Sequence, residues 1–364
     1  MQFNWSLKKV LASSVAAVLA VSSAYAIPRG PCDTRDEVCC EQPKPGPFAF
    51  SFPKDLDLNC PRDFYFFGDF LIMQAQEDGL EYAMTDTDGN GWPLRGGTVQ
   101  SFSSDGHHWD WDLGFRLGFG FYLNHDVWNL DARWTYFHYT EDTPSTVHNN
   151  ATLFPFWIPP GTVLTVPANV SSSARWEMHF NTLDLSLGKP HHISRFVVFN
   201  PFFGIRAAWI DQDYHARYQG VFDGAVNAEM RGKNDYWGVG LRTGVDTEWW
   251  LGSGFNLFGL ASASILFSKF DVTQEMALVN HGYEIDDEFF HNTPNFELNI
   301  GIQWGTNFNK QRHRFSLAAG YEFHYWWNMN RFRRFSDSNT VMNDVVSKGD
   351  LSINGVRIRA MFDF

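Results

Sequence analysis

The sequence predicts an all-β chain, an antiparallel transmembrane β-barrel of about ten strands with short turns at one end and long loops at the other. Three observations lead there. From Asp63 to the carboxyl terminus, apolar and aromatic residues alternate with small or charged ones at the two-residue period of a strand. The connections between these runs are alternately short and long, as in a membrane barrel. The last run ends on Phe364, which extends the apolar stripe Val356, Ile358, Ala360 and Phe362. A terminal aromatic on a final amphipathic strand resembles the assembly signal of outer-membrane barrels.

The clearest strand alternates Leu113, Phe115, Leu117, Phe119, Phe121 and Leu123 with Gly114, Arg116, Gly118, Gly120 and Tyr122. After the turn Asn124-His125-Asp126, Trp128, Leu130, Ala132, Trp134 and Tyr136 alternate with Asn129, Asp131, Arg133, Thr135 and Phe137. Near Asn181-Thr182 the phase slips, because Trp176, Met178 and Phe180 give way to Leu183, Leu185 and Leu187; a β-bulge there would restore the facing. Further runs are Phe203 to Trp209, Trp237 to Trp249, Phe296 to Trp304 and Phe315 to Tyr325. Aromatic residues begin and end these runs, as girdles at the two interfaces do. Short turns fall at 124–126, 189–194, 251–254 and 307–312, and long loops at about 87–107, 140–174, 213–233, 272–292 and 331–349. An even count returns the carboxyl terminus to the amino-terminal side, which makes the short turns periplasmic and the long loops extracellular. A hairpin within 214–227 or hidden in another loop would raise the count to twelve.

The first 62 residues read differently. Lys8 and Lys9 precede an apolar run from Val10 to Val21, and Ala24-Tyr25-Ala26 supplies a small-residue cleavage signal, so residues 1–26 read as a secretory signal peptide. The run is too short for the ~20 residues of a spanning helix. Residues 27–62 form a Cys/Pro-rich leader holding Cys32, Cys39, Cys40 and Cys60. Export permits disulfides, and four cysteines allow three pairings among which the sequence does not choose. A bridge between the adjacent Cys39 and Cys40 would be strained, so each is expected to have a separate partner. No Cys-x-x-Cys pair and no nearby His supports a metal site instead. Residues 63–364 are then the barrel.

Composition excludes other classes. A net charge of −13 argues against nucleic-acid binding, a hydrophobic fraction of 44% against disorder, and a mean hydropathy of −0.29 against a polytopic helical membrane protein. Parity along the strands turns Arg116, Arg133, Arg206, Arg242, Arg357 and Arg359 inward, with Asp112, Asp131, Asp184, Asp246, Glu248, Glu297 and Glu322. Such a lumen is polar and nearly neutral. In a wide barrel these charges would sort ions, and across a narrow one they can pair and close it.

Signals for chemistry are weak. Asp211, Asp213 and His215 sit where a strand meets a long loop and could serve as a rim general base, but a solvated strand end is the simpler reading. His107-His108 and His191-His192 point to opposite faces if on strands, so no metal site is expected. Gly118-Phe119-Gly120 and Gly238-Val239-Gly240 mimic part of a dinucleotide motif with no helix behind them, and lumenal glycine eases strand curvature instead. No catalytic residue and no cofactor is expected. The loop sequence Phe154-Pro155-Phe156-Trp157-Ile158-Pro159-Pro160 is either an exposed contact surface or a constriction folded into the barrel mouth.

The stretch from Phe70 to Ala83 (FLIMQAQEDGLEYA) resembles the opening of the Legionella-type major outer-membrane protein family, which has members in environmental chlamydiae. Trp111-Asp112-Leu113-Gly114-Phe115-Arg116, Asn181-Thr182-Leu183-Asp184-Leu185 and Pro201-Phe202-Phe203-Gly204-Ile205-Arg206 match in order. The resemblance implies a surface-exposed porin of the bacterial outer membrane, passing small hydrophilic solutes and ions passively. The alternative is a closed structural or adhesive barrel stabilised by disulfides. The partners expected are outer-membrane lipid, small hydrophilic solutes, disulfide-linked envelope proteins and further copies of the chain in a homo-oligomer, and no nucleic acid. The cysteine-bearing leader is similar to features of chlamydia-like envelopes, where inter-protein disulfides add rigidity.

Overall fold

The computed structural model describes residues 64–86, 98–102, 110–123, 128–144, 146–148, 152–157, 170–222, 226–277, 282–310, 312–338, 341–346 and 349–364. The segment read as a signal peptide, the segment read as a leader with its four cysteines, His107-His108 and the turn Asn124-His125-Asp126 lie outside them. Among the described residues no helix is long and apolar enough to cross a membrane.

Ten strands close the barrel: β1 (Phe64–Glu77), β2 (Asp112–Tyr122), β3 (Asn129–Asp142), β4 (Val170–Gly188), β5 (Val197–Phe222), β6 (Val226–Gly252), β7 (Phe255–Ala277), β8 (Gly282–Phe308), β9 (His313–Trp326) and β10 (Leu351–Asp363). Each pairs antiparallel with its neighbour in sequence, and β10 returns to β1. The seam runs from Tyr65 opposite Asp363 to Glu77 opposite Leu351. At its foot the Phe364 amide donates to the Phe64 carbonyl at 3.0 Å, and the two rings stack with centroids 4.8 Å apart. The terminal aromatic thus staples first strand to last.

The short turns are tight. Gly252, Ser253 and Gly254 all take positive φ between β6 and β7, as do Asn309 and Lys310 between β8 and β9. On β2, Gly118 and Gly120 do more than ease curvature. A Cβ at Gly118 would stand 2.1 Å from the Phe67 ring and one at Gly120 2.3 Å from the Tyr65 ring, so the bare backbone is what lets both rings lie inside the barrel.

Two sequence expectations are corrected. The segments read as loops at 213–233 and 272–292 are largely strand, because β5, β6 and β8 run for 26, 27 and 27 residues. At ~3.3 Å per residue, 27 residues extend roughly 90 Å, far beyond an apolar band of ~25 Å even when tilted. The hairpin around 214–227 therefore lengthens existing strands, and the count stays at ten. Nor is there a bulge at Asn181-Thr182, since pairing on both sides of β4 runs through Phe180, Asn181 and Thr182 without a shift.

The phase changes because the surroundings change. In the membrane band the outer wall is apolar: Phe203, Ile205, Val239, Leu241, Ile265 and Ile300 are all exposed on the barrel's outside. Beyond Trp209 and Trp237 the same outward row becomes Asp211, Asp213, His215 and Arg217 on β5 and Asp235, Lys233 and Arg231 on β6. Ion pairs lace this belt, among them Lys233 Nζ–Asp235 Oδ2 at 2.8 Å and Arg175 Nη1–Asp142 Oδ2 at 3.0 Å. The inner wall inverts with it, and Trp176, Met178, Phe180, Ile210, Tyr214 and Tyr218 are buried within. Above the membrane the barrel packs like a water-soluble one, with an apolar interior and a charged exterior.

Candidate functional site

The lumen is the candidate site, and its two levels follow from that inversion. At membrane level, parity drives charged side chains inward, where hydrocarbon cannot reach them. Arg116 forms a two-point pair with the Glu322 carboxylate and reaches Asp69 at 3.4 Å. Asp69 is gripped from its other side by Arg359, at 2.6 and 2.8 Å. Across the lumen Arg206 binds Asp184 with two bonds of 2.7 and 2.8 Å, Glu297 at 2.6 Å and Asn295 at 2.8 Å. Arg242 donates to the same Glu297 oxygen at 2.8 Å and to Ser262 at 3.0 Å. Glu322 also accepts from Asn299 at 2.9 Å and meets His324 Nε2 at 2.5 Å.

Most of these bonds link adjacent strands, and three ion pairs reach between strands that are not neighbours, Arg116 on β2 to Glu322 on β9, and Arg206 on β5 and Arg242 on β6 to Glu297 on β8. Four arginines meet four carboxylates, so the layer is neutral. Arg116, Arg206 and Arg242 are at most 2% exposed, so their charges are shut off from bulk solvent. Taking charges out of water offsets most of what their attraction gains, so the layer is better understood as fixing and closing the interior than as stabilising it.

Toward the short-turn end lies a cavity of about 210 Å³. Asp131, Arg133, Asp246, Glu248, Arg357 and Arg359 line it. Arg133 pairs with Asp131 at 2.8 Å, Glu248 accepts from Asn256 at 3.2 Å, and Arg357 lies over the Phe258 ring. Every lumenal residue named from sequence therefore turns inward. They divide between a sealed layer (Arg116, Arg206, Arg242, Asp184, Glu297, Glu322) and a vestibule below it, with Arg359 belonging to both through its pair with Asp69. Asp112 stands at the end of its strand, where it accepts the Thr140 amide at 3.0 Å.

Toward the other end, segments between strands fold into the mouth. Ala83–Asp86, Thr98–Gln100 and Thr152–Pro155 make a small sheet. Below it Leu80, Tyr82, Phe102, Leu153 and Trp157 are buried against Tyr214, Tyr218 and Phe332. Trp157 Nε1 donates to the Tyr214 hydroxyl at 3.1 Å, and the Tyr214 and Tyr218 hydroxyls donate to the Leu80 and Tyr82 carbonyls at 3.0 and 2.6 Å. The described part of the aromatic loop, Phe154 to Trp157, folds into the barrel mouth, with Trp157 buried there.

Sequence reasoning missed Asp69. Its strand places Tyr65, Phe67, Leu71 and Met73 on the inner face and Phe66, Phe70 and Ile72 on the outer, so neither face looks polar. Only the register, with Asp69 between Arg116 and Arg359, shows its role. The rim cluster is placed on the outer wall, away from the lumen: Asp211 is exposed, and His215 Nδ1 lies 3.7 Å from Glu229. Asp213 and His215 line a groove on that wall with Asp142, Arg175 and Glu177, and Asp211 is not part of it.

No curated protein matches the chain. Among solved structures it is similar to the outer membrane protease OmpT of Escherichia coli, at 8% identity and a TM-score of 0.39, covering 84% of this chain and 97% of that one. It is also similar to a FadL homologue of Pseudomonas aeruginosa, at 7% identity and a TM-score of 0.25, covering 84% and 90%. Likeness at this level bears on neither substrate nor mechanism. The family comparison is of another kind, for the model described as Legionella pneumophila major outer membrane protein precursor matches residues 60–364, the entire barrel. With a closed ten-stranded barrel, an apolar outer band and that match over its full length, the chain belongs to the Legionella major outer-membrane protein family and is a protein of the bacterial outer membrane.

Proposed function

We propose that the chain is a narrow, charge-gated pore for passive passage of ions and small hydrophilic solutes, seen here in its closed state. The observation that carries this reading is the inner wall at membrane level. It is lined by charges of both signs and continues into the 210 Å³ vestibule at the short-turn end. A barrel with no need of a polar path could fill that space with apolar side chains at lower desolvation cost. Two barriers stand in the path, the Arg116–Glu322 and Arg206–Glu297 layer and the aromatic plug around Trp157. Side-chain ion pairs between strands that are not neighbours can exchange partners without breaking the wall's backbone pairing, which suits a gate. Passage needs both barriers to yield.

The second reading, a closed structural or adhesive barrel held by disulfides to other envelope proteins, draws support from the near-complete burial of Arg116, Arg206 and Arg242. Single-channel recording in a planar bilayer separates the two. A pore gives discrete steps whose ion selectivity changes in Arg242→Leu. A structural barrel inserts and stays silent in both forms.

A further inference from the structure

On the outer wall just beyond the membrane band, His138 of β3 stands opposite His179 of β4, with Glu177 one step further along the same outward row. His138 Nε2 lies 3.1 Å and His179 Nε2 3.5 Å from one carboxylate oxygen, Glu177 Oε1. The rings stack with centroids 4.4 Å apart, and the three ligand atoms all fall within 4.8 Å of one another. The second Glu177 oxygen faces Arg175 at 3.7 Å, while Arg175 makes its closer contact, 3.0 Å, to Asp142. Oε1 is thus left to the imidazoles.

We propose that His138, Glu177 and His179 form a binding site for a divalent transition-metal ion of the Zn²⁺ type. Zinc takes imidazole nitrogen and carboxylate oxygen at about 2.0–2.2 Å in a tetrahedron, so neighbouring ligand atoms should stand ~3.3 Å apart. The observed 3.1 and 3.5 Å bracket that edge. The longer distance is poor for a hydrogen bond and suits two ligands of one ion. A metal ion held between the two imidazoles would supply the positive charge that Glu177 Oε1 faces. Asp211 is opposite His179 in the β4–β5 register but is not among the three residues whose ligand atoms converge, so water would take the fourth position.

Among the described residues the other trio of this kind, Glu297, Glu322 and His324, has its carboxylates already taken by Arg206, Arg242 and Arg116, and an ion there would have to displace arginines. The sequence could not show the outer site. Its members are 39 and 41 residues from His138 and meet only through the strand register.

The test is Zn²⁺ titration by calorimetry of the full-length refolded barrel in detergent, with Cys32, Cys39, Cys40 and Cys60 changed to Ser so that thiolates cannot contribute. Retained heat-modifiable migration on a gel checks folding, which outward-facing substitutions should not disturb. The expected result is about one equivalent bound, with affinity falling more than the ~10–100-fold typical of losing a supporting group in His138→Ala and in His179→Ala. Binding should be unchanged in His191→Ala/His192→Ala. Absence of Zn²⁺ binding, or binding that survives both His138→Ala and His179→Ala, would overturn the proposal.

Discussion

Removing Glu297 is the sharpest perturbation of the lumen. Its Oε2 accepts from Arg206 at 2.6 Å, from Arg242 at 2.8 Å and from Ser262 at 3.3 Å. The two arginines would not suffer equally. Arg206 keeps two bonds to Asp184 and one to Asn295. Arg242 keeps only Ser186 and Ser262, with Asp184 at a distant 3.8 Å, and so becomes a buried charge without a close carboxylate. Breaking a buried pair from one side costs about 3–5 kcal/mol, and Glu297→Ala should cost that much. Glu297→Gln retains an acceptor and should cost less. The Glu297→Ala/Arg242→Leu double variant removes the orphan and should recover a large part of the loss, giving a coupling energy of about 1–3 kcal/mol in a double-mutant cycle. Reversible denaturant unfolding in detergent or lipid vesicles measures all four forms. If Glu297→Ala unfolds within about 1 kcal/mol of the parent, or the double variant is merely additive, the layer is not the tightly bound unit described above.

Other outcomes follow from the same geometry. Trp237→Arg puts a charge on the lipid face and should weaken insertion by about 2–4 kcal/mol near the midplane, whereas lumenal Arg242→Leu should leave insertion intact; the reverse, read by vesicle folding assays, would mean the wall is inside out. Gly118→Ala drives a methyl into the Phe67 ring and should destabilise the barrel by about 1–3 kcal/mol in the same unfolding measurement. Asp78 sits in the turn beyond β1, where burial foremost, then the Asp350 and Glu81 carboxylates, push its carboxyl up. A raised carboxyl favours the folded state at low pH and loses that contribution as pH rises through its folded value. Asp78→Asn should therefore stabilise the protein at neutral pH, with the gain fading in acid, when melting is followed across pH.

The ten strands, the turns at 251–254 and 307–312 and the inward arginines and carboxylates were legible, because hydrocarbon outside and polar side chains inside impose one strict parity on residues such as Leu241 and Arg242. That parity holds only at membrane depth. Where β4 leaves the bilayer, Phe180 goes in and Asn181 goes out, and an unbroken strand looks like a slipped one. The same reversal disguised the extensions of β5 to β8 as loops, since Asp213, His215 and Arg217 look solvated, as indeed they are on the outer wall. Asp69 was hidden for a further reason, being flanked by apolar residues on both faces. The plug around Trp157 and Tyr214 depends on contacts 57 residues apart, which no local period encodes.

The most direct measurement is single-channel conductance of the parent beside a form lacking residues 152–157 and carrying Glu322→Gln, which loosens both barriers. A charge-gated pore predicts rare or small openings in the parent and larger, longer-lived steps in the altered form. Silence from both, with folding and insertion verified, would contradict a gated pore and leave a closed barrel of the envelope.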